Sequence, residues 1–351
     1  MLAGRRATVH DVAQAAGVSV SAVSKVVRDA YGVSPQMRAR VTAAINELGY
    51  RPHAGARAMR GRSFTIGVVL VDLASPFQPE VAQGISDELE QTPYEDVIIV
   101  TGGVSPERQK RKIEALLDRQ VDGLVLVAPW LDVAWIENLA KSVPVVAVAL
   151  HGSPKNFDTV VDDDQLGARL VVDHLVEAGH RRIVHTSMAP AETESTFVLS
   201  HTARRRGFEA AMRRHDLNPD VIETWYSEEG GYRAALQAFD RVEPPTAIFA
   251  GADIAAFGVL RAAEEQGLRV PEDLTVVGYD NIYMATIGRV SLTTVDQSGH
   301  LTGSASARLL LERIDGRTEP KQFVVAPRLL TRGTSGAPPR AVEEADAATV
   351  A

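Results

Sequence analysis

The sequence predicts an α/β protein in which a large body of parallel, doubly wound sheets follows a small all-α headpiece. From Phe64 onward, continuous apolar runs alternate with amphipathic segments, a pattern typical of parallel strands covered by helices on both faces. Between Thr8 and Tyr50, apolar residues instead recur at helical spacing, and capping residues and glycines divide this stretch into short helices.

Length and composition indicate a folded chain of several domains. At about 150 residues per domain, 351 residues predict two or three units, and 45% hydrophobic with 23% charged residues is near the globular average. The chain has no cysteine, which excludes disulfides, thiolate nucleophiles and cysteine-ligated metal sites. No signal-peptide pattern opens it and no apolar run reaches the roughly 18 residues of a membrane span, so we expect a cytoplasmic protein without membrane contact.

Charge is divided unevenly along the chain. Residues 1–62 contain ten Lys/Arg and three Asp/Glu, a balance of +7 within a total of −8, so the remainder carries −15. A basic end on an acidic body is expected when one end alone meets a polyanion. The alternative is a solvated basic arm without a partner, but the basic segment is also patterned to fold.

Three short helices account for the pattern of the headpiece. Thr8 caps the first and Gly17 ends it, Ser19 caps the second, and the third runs from the cap Ser34 to Gly49. Two helices joined by a glycine turn and braced by a third form a helix-turn-helix, whose second helix fits the major groove of DNA. The residues predicted to face inward are Val12, Ala13 and Ala16, then Val23, Val26 and Val27, then Val41, Ala44, Ile45 and Leu48.

The headpiece resembles the N-terminal signature of the LacI/GalR family of bacterial repressors over the 45 residues TVHDVAQAAGVSVSAVSKVVRDAYGVSPQMRARVTAAINELGYRP. This resemblance implies that the partner is double-stranded DNA carrying a palindromic operator. Lys25 stands where the family more often has arginine, and lysine lacks the planar fork that pairs with guanine, so we expect different preferred bases. The implied base-reading residues are Val20, Ser21 and Lys25, and the implied phosphate contacts are Thr8, Ser19 and Arg28.

Residues 51–63 are predicted to be a hinge. The segment HAGARAMR is too short to be a stable helix alone. In the resembled family the matching segment becomes a helix in the minor groove, which implies that role for Ala56, Met59 and Arg60. Met59 is the candidate wedge, since methionine is among the side chains that unstack base steps. The alternative is a plain flexible linker, which His53 in place of the family's asparagine favours.

The body contains seven apolar runs that predict strands: TIGVVLV, DVIIVTG, GLVLVAP, PVVAVAL, RRIVHTS, AIFAG and LTVVGYD. Runs that are apolar on both faces predict parallel sheets. No glycine-rich phosphate motif opens the helices between them, so we expect no nucleotide cofactor. The units are too many for one sheet, which predicts two lobes.

The family resemblance continues to about residue 335. It implies a headpiece at 1–50 and a ligand-binding domain at 64–335 with the two-lobed, type I periplasmic-binding-protein-like fold. Ligands of such folds bind between the lobes, at the carboxyl ends of the strands. Residues 336–351, rich in Ala, Pro and acidic residues, are expected to be a disordered tail. The implied lobes are about 64–162 plus 298–325 and about 163–297 plus 326–335.

Matching positions imply an effector site in the cleft. An arginine and aspartates offer donors and acceptors in fixed directions, which suits the hydroxyls of a carbohydrate, and Phe77, Trp225 and Tyr226 could cover its apolar faces. The resemblance implies that the effector-binding residues are Ser75, Phe77, Asp163, Ser200, Arg204, Tyr226, Asp253, Asp280 and Gln297.

Plainer interpretations of these residues stay open. Arg204 could be one member of an exposed charge run with its two neighbours, Asp280 could serve only a turn, and Phe77 could be core. Ala252 stands where a polar residue often contacts the ligand. The loop APAETESTFV before Arg204 is about six residues longer than the resemblance leads us to expect.

We therefore predict a homodimeric repressor, with pairing of dimers into tetramers left open, that responds to a small molecule, most simply a sugar. No cofactor, metal or catalytic residue is expected. Three alternatives remain: a purine- or nucleoside-responsive regulator, an exported solute-binding protein of the same fold, and an enzyme. The last lacks G-x-S-x-G, P-loop and H-E-x-x-H motifs.

Overall fold

The computed structural model describes residues 7–27, 32–50, 62–94, 96–190 and 197–339. They fall into two compact units, the headpiece before Phe64 and the body from Phe64 onward. No helix in these ranges is both long and apolar enough to cross a membrane. The predicted phosphate contact Arg28 and the predicted hinge residues Ala56, Met59 and Arg60 lie outside the described residues.

The headpiece contains α1 (Val9–Ala16), α2 (Val20–Val27) and α3 (Pro35–Leu48). A reciprocal cap begins α1: the Thr8 hydroxyl accepts from the Asp11 N–H, and the Thr8 N–H donates to the Asp11 carboxylate at 2.7 Å. Gly17 follows α1 with φ 64°, a left-handed conformation that a side chain disfavours, so the chain can turn sharply into α2.

The headpiece core lies where the three helices meet. Val12, Val23 and Val41 are fully buried there. Two predicted orientations differ from the structure. Leu48 is 38% exposed, because Tyr50 packs on the core at that end instead. Val20, predicted to face outward, is half-buried and packs partly on the core.

Lobe one of the body is built on a six-stranded parallel sheet of order β13-β6-β4-β3-β1-β2. Its helices pack their apolar sides on the sheet, which buries β1 and β3 completely. The edge strand β2 is half-exposed, although its apolar run predicts burial on both faces; an edge position leaves part of it uncovered. The strands are β1 (Thr65–Leu70), β2 (Asp96–Thr101), β3 (Gly123–Val127), β4 (Val145–Val148), β6 (Asp158–Asp162) and β13 (Gln322–Val325), and the helices are α4 (Phe77–Leu89), α5 (Pro106–Leu117), α6 (Val133–Leu139) and α11 (Gly299–Ile314).

Lobe two repeats the plan with a sheet of order β14-β12-β11-β10-β7-β9, parallel except for β14. Its core is rich in alanine, which lets α9 and α10 approach closely. The strands are β7 (Ile183–Ser187), β9 (Asp220–Glu223), β10 (Ala247–Ala250), β11 (Thr275–Tyr279), β12 (Thr293–Asp296) and β14 (Arg328–Leu330). The helices are α7 (Asp164–Glu177), α8 (Ser200–Arg214), α9 (Glu228–Phe239) and α10 (Asp253–Glu265), and Tyr283–Thr286 form a 3-10 turn.

The chain passes between the lobes after β6, after β12 and after β13. A separate two-stranded ribbon pairs β5 (Leu150–His151) with β8 (Val198–Leu199) in antiparallel fashion. The start of the predicted disordered tail is packed on lobe two: the Gly336 carbonyl is 3.0 Å from His180 Nε2, and its N–H donates to the Thr275 hydroxyl. Residues 340–351 lie outside the described residues.

Candidate functional site

A cavity of about 140 Å³ lies between the two lobes of the body. Lobe one contributes residues after β1 and β3, and lobe two contributes the first turns of α8 and the loops after β9 and β11. These are carboxyl ends of parallel strands, where ligands of open α/β sheets bind. Residues predicted from the sequence that line it are Ser75, Phe77, Ser200, Arg204, Tyr226, Asp280 and Gln297, together with Trp225.

Arg204 is the central charge of this cavity. The residue is 3% exposed, which rules out the interpretation of an exposed charge run. The guanidinium donates twice to Asp164 Oδ1, at 3.0 and 2.8 Å, and once to the Gly251 carbonyl. It also stacks on Tyr279, with Cζ 3.4 Å from the ring centroid. Burial lowers the pKa of Arg204, but Asp164 and the neighbouring groups outweigh burial and raise it, so the arginine keeps its charge.

A second carboxylate lies behind the first. Asp162, at the end of β6, accepts a hydrogen bond of 2.5 Å from the Tyr279 hydroxyl. Burial and then the charge of Asp164 raise the pKa of Asp162 to about 7. Burial also opposes the charge of Asp164, but Arg204 and His151 outweigh it and lower the pKa of Asp164. One arginine therefore keeps the nearer carboxylate ionised and leaves the farther one close to its titration point at neutral pH.

Asp280 presents a carboxyl group from lobe two. It follows the last residue of β11 with φ 117°, a strained conformation for a residue with a Cβ, and its carboxyl accepts a hydrogen bond from the Gln297 amide. Burial raises the pKa of Asp280 well above its ordinary value, despite the opposing effect of Arg204. Raising the pKa favours the protonated form, which can donate as well as accept a hydrogen bond.

Aromatic rings from both lobes form one wall of the cavity. Trp130, after β3, stacks on His201 of α8 with ring centroids 5.7 Å apart and planes 11° apart, and lies 6.1 Å from Trp225. Burial lowers the pKa of His201 to about 4, so this ring is neutral at neutral pH. The wall is thus uncharged and aromatic, which suits a ring-shaped ligand.

A buried glutamine holds Trp130 in place. Gln109 of α5 is 1% exposed, and its side chain bridges two loops. Its Oε1 accepts from the Trp130 backbone N–H at 3.0 Å, and its Nε2 donates to the Gly103 carbonyl at 2.6 Å. Both the oxygen and the nitrogen of the Gln109 amide make hydrogen bonds, and these fix the backbone position of Trp130.

Two predicted effector residues lie outside the lining of the cavity. Asp163 is exposed and caps α7, where its carboxylate accepts from the Leu166 N–H at 2.9 Å. Asp253 is fully buried and holds the chain after β11, accepting from the Thr294 hydroxyl at 2.5 Å and the Ile282 N–H at 2.9 Å. Ala252, the departure noted in the sequence, does line the cavity.

Sequence reasoning missed Asp164, Trp130 and Asp72. Asp164 is the next residue after the predicted Asp163. Neighbouring residues of a helix point about 100° apart, so only one of these two carboxylates faces Arg204, and it is that of Asp164. Asp72 lies two residues after the end of β1, and Trp130 lies three residues after the end of β3. The rule that strand ends converge on the ligand could have found both.

The predicted DNA-contacting residues lie along the start of α2 and at the cap of α1. Ser21 and Lys25 are exposed and separated by one helical turn, so they share a face. Ser19 is exposed, and its hydroxyl accepts from the Ala22 N–H at 3.1 Å. No group of three or more His, Asp or Glu within the described ranges could hold a metal ion.

Comparison with known proteins places this architecture in a family. The description "Bacterial regulatory proteins, lacI family" matches residues 8–53, and "Periplasmic binding protein-like domain" matches residues 172–335. The catabolite control protein A of Priestia megaterium is 32% identical over 325 residues, covering 91% of this chain and 96% of that protein. The chain belongs to the lacI family.

Two further proteins are similar to this chain over nearly its whole length. The ribose operon repressor of Escherichia coli (strain K12) is 32% identical over 336 residues, covering 94% of this chain and 100% of that protein. The crystal structure of the lac repressor dimer bound to operator and the anti-inducer ONPF superposes with TM-score 0.80 at 28% identity, covering 95% of this chain and 100% of that one. The predictions of a lacI-family regulator and of its headpiece-plus-two-lobes fold are confirmed.

Replacing Arg204 with leucine should destabilise the body by about 3–5 kcal/mol, because Asp164 would remain buried without its main counter-charge. Urea unfolding followed by circular dichroism measures this. Arg206→Leu, two residues along the same helix but exposed, is the matched control and should change stability by less than about 0.5 kcal/mol. Equal effects of the two substitutions would mean that Arg204 carries no structural charge pairing.

Asp162→Asn should gain stability relative to the natural protein as pH rises. The folded carboxyl keeps its proton up to about pH 7, whereas the unfolded one releases it near 3.8, so ionisation costs the natural protein stability between those values. Asparagine cannot ionise and escapes that cost. Urea midpoints across this pH range measure the difference, and a difference that stays constant with pH would contradict the assignment.

Proposed function

We propose that this lacI-family protein is a DNA-binding transcriptional repressor whose operator affinity is controlled by an uncharged polyhydroxy compound, a sugar, bound in the cavity between the lobes. The catabolite control protein and the ribose operon repressor that it resembles are regulators rather than enzymes, and we assign no reaction to this chain. A protein that regulates chromosomal genes acts in the bacterial cytoplasm.

The headpiece supplies the DNA-reading part of the proposal. Ser21 and Lys25 are exposed on one face of α2, within a segment whose charge balance is +7. The partly buried Val20 begins that helix and supports its placement. One such headpiece buries little surface on a duplex, whereas two on a palindrome add their contacts and fix the half-site spacing. We therefore propose a homodimer, the state of the lac repressor in its operator complex.

The ion pair of Arg204 with Asp164 supports the chemical class proposed for the effector. Arg204 is the single cationic side chain among the described residues that line the cavity, and Asp164 already meets its charge. His201 is neutral because burial lowers its pKa to about 4. A phosphate or carboxylate in the cavity would find no unmatched positive charge, while Asp280 and Gln297 offer hydrogen bonds to hydroxyl groups. These features favour a neutral sugar over a sugar phosphate.

The aromatic wall supports a second candidate. Stacked planes of Trp130 and His201 would cover a purine base as well as the apolar face of a pyranose. A nucleoside is neutral and would satisfy the same charge argument. The two candidates differ in whether the ligand must have an aromatic ring, which direct binding measurements decide.

Control of DNA binding requires the effector to distinguish two arrangements of the protein. A ligand shifts an equilibrium only by its difference in affinity for the two states. A ligand that contacts Ser75 and Phe77 in lobe one and Arg204 and Asp280 in lobe two would be sensitive to the arrangement of the lobes. We propose that this sensitivity sets the spacing of the two headpieces in the dimer.

Lys25→Ala should weaken binding to the selected operator by about 1–3 kcal/mol, and weaken binding to random duplex much less, because a base contact carries sequence preference. Operators are first selected from random DNA, and affinities are then measured by fluorescence anisotropy at a fixed salt concentration. Asn46→Ala, at an exposed position of α3, is the control and should leave both affinities unchanged. Equal losses on operator and random DNA would make Lys25 a phosphate contact only.

Calorimetry with D-ribose, D-glucose, D-galactose and cellobiose should show binding of at least one sugar and no binding of its phosphate ester. Trp130→Ala should weaken that binding by about tenfold through loss of the stacking surface. Trp135→Ala is the control, because Trp135 pairs with Lys110 and is not among the cavity residues. Binding of adenosine or guanosine in place of every sugar would replace the sugar proposal by the nucleoside one.

A further inference from the structure

The long segment before α8 ends in residues 197–199. These residues and Ser200, the first residue of α8, contact lobe one, although the rest of α8 belongs to lobe two. β8 (Val198–Leu199) pairs with β5 (Leu150–His151), which directly follows the lobe-one strand β4. The Ser200 N–H continues this ribbon by donating to the Ala149 carbonyl at 3.1 Å. We name residues 197–200 the clasp.

Two apolar side chains seat the clasp in lobe one. Phe197 and Leu199 are 9% and 7% exposed, within a hydrophobic cluster whose other members belong to lobe one. The Phe197 ring lies 6.1 Å from that of Phe157. It also rests directly on the backbone of Gly152, where an added Cβ would lie 2.2 Å from a ring carbon. The seat therefore fits an aromatic ring and leaves no room for a side chain at position 152.

The polar end of the clasp joins the charge network of the cavity. His151, in lobe one, has Nε2 2.7 Å from the Asp164 carboxylate of lobe two and 3.4 Å from the Ser200 hydroxyl. The other oxygen of Asp164 receives the two hydrogen bonds from Arg204. A continuous set of contacts thus leads from the lobe-one ribbon to the arginine that lines the cavity.

The clasp adds a non-covalent link to the three chain crossings between the lobes. A rearrangement of the lobes about those crossings has to carry the clasp along or pull it from its seat. Ser200 is the last residue of the clasp, His201 and Arg204 follow it on the same helix, and all three line the cavity. A ligand that moves this helix turn by even a small distance acts on the clasp, because a helix transmits displacement along its axis.

We propose that the clasp couples the occupancy of the effector cavity to the arrangement of the lobes, with Phe197 as a positioning residue for α8. The inference rests on the proposed effector site, since it needs a ligand that contacts the start of α8. Seated, the clasp holds the lobes in the arrangement described here. Released, it frees lobe two to change its angle to lobe one.

A disulfide that locks the clasp is the direct test. The chain has no cysteine, so the double variant Leu150→Cys with Leu199→Cys can form one intramolecular disulfide only. These residues face each other between hydrogen-bonded positions of the ribbon, where Cα atoms are about 4.5 Å apart, a separation that a disulfide spans. Each single cysteine variant, treated with the same oxidant, is a control.

Operator affinity is then measured with and without a saturating concentration of the panel sugar that binds with the largest heat. We expect the sugar to change the operator Kd of the oxidised double variant by about twofold or less, against the roughly 5- to 150-fold typical of allosteric coupling. Reducing the same sample should restore the response of the Leu199→Cys single variant, which carries the same change in the cavity lining. An oxidised protein that responds as fully as its reduced form would overturn the proposal.

Phe197→Ala tests the same coupling without a cross-link. It should keep the calorimetric affinity for the sugar within about threefold and lose most of the operator response, since Phe197 is not among the residues that line the cavity. Phe197→Leu keeps an apolar side chain in the seat and should restore most of the response. A Phe197→Ala protein with sugar binding and operator response both unchanged would contradict a positioning role.

A thiol-reactivity assay tests the clasp independently of the repressor proposal, because the assay uses neither DNA nor sugar. The single cysteine of Leu199→Cys should react with a thiol reagent as slowly as that of Ala211→Cys, a buried position of α8 within lobe two. Val242→Cys, at a fully exposed position, gives the fast limit. A Leu199→Cys rate near that limit would overturn the clasp even if the natural protein neither bound an operator nor responded to a sugar.

Discussion

The guanidinium of Arg204 lies beneath the cleft between the lobes with its charge met by Asp164, and the rest of the cavity is arranged around that pairing. An unpaired buried charge lowers the stability of the fold by several kcal/mol. The arginine therefore needs a carboxylate to balance its charge, a carbonyl oxygen to accept from its remaining N–H group, and an aromatic ring to stack on. Asp164, Gly251 and Tyr279 supply these three. The cavity is left with directed hydrogen-bonding groups and no unmatched cation.

Helix α8 connects the cavity with both lobes of the body. The residues just before it, Phe197 and Leu199, lie in the core of lobe one. Its first turns line the cavity, and its buried Arg204 binds Asp164 at the start of α7 in lobe two. Dense packing makes such an arrangement switch between discrete states rather than deform gradually. A small molecule bound at one end of α8 can therefore influence how two lobes of over a hundred residues each are held together.

The headpiece follows a different physical plan. Its core is small, built from valines and alanines of three short helices, and its outward face carries the polar and basic groups. The negative charge of the chain belongs to the body, which is a separate unit. The acidic residues are therefore not part of the unit that is predicted to bind DNA. Reading and sensing can thus be optimised separately.

The sequence by itself determined the headpiece helices, the central strands and the convergence of most polar residues on one cleft. Local signals carry that information: caps and glycines set the helix ends, and apolar runs between amphipathic segments predict the strands. Only the tertiary structure decided that Asp164 rather than Asp163 meets Arg204, that Asp253 braces a loop instead of lining the cavity, and that Phe197 lies in the other lobe. These outcomes depend on helix rotation and on contacts between residues distant in the chain. A strand of only two residues such as β8 is also too short to leave a periodic signal in the sequence.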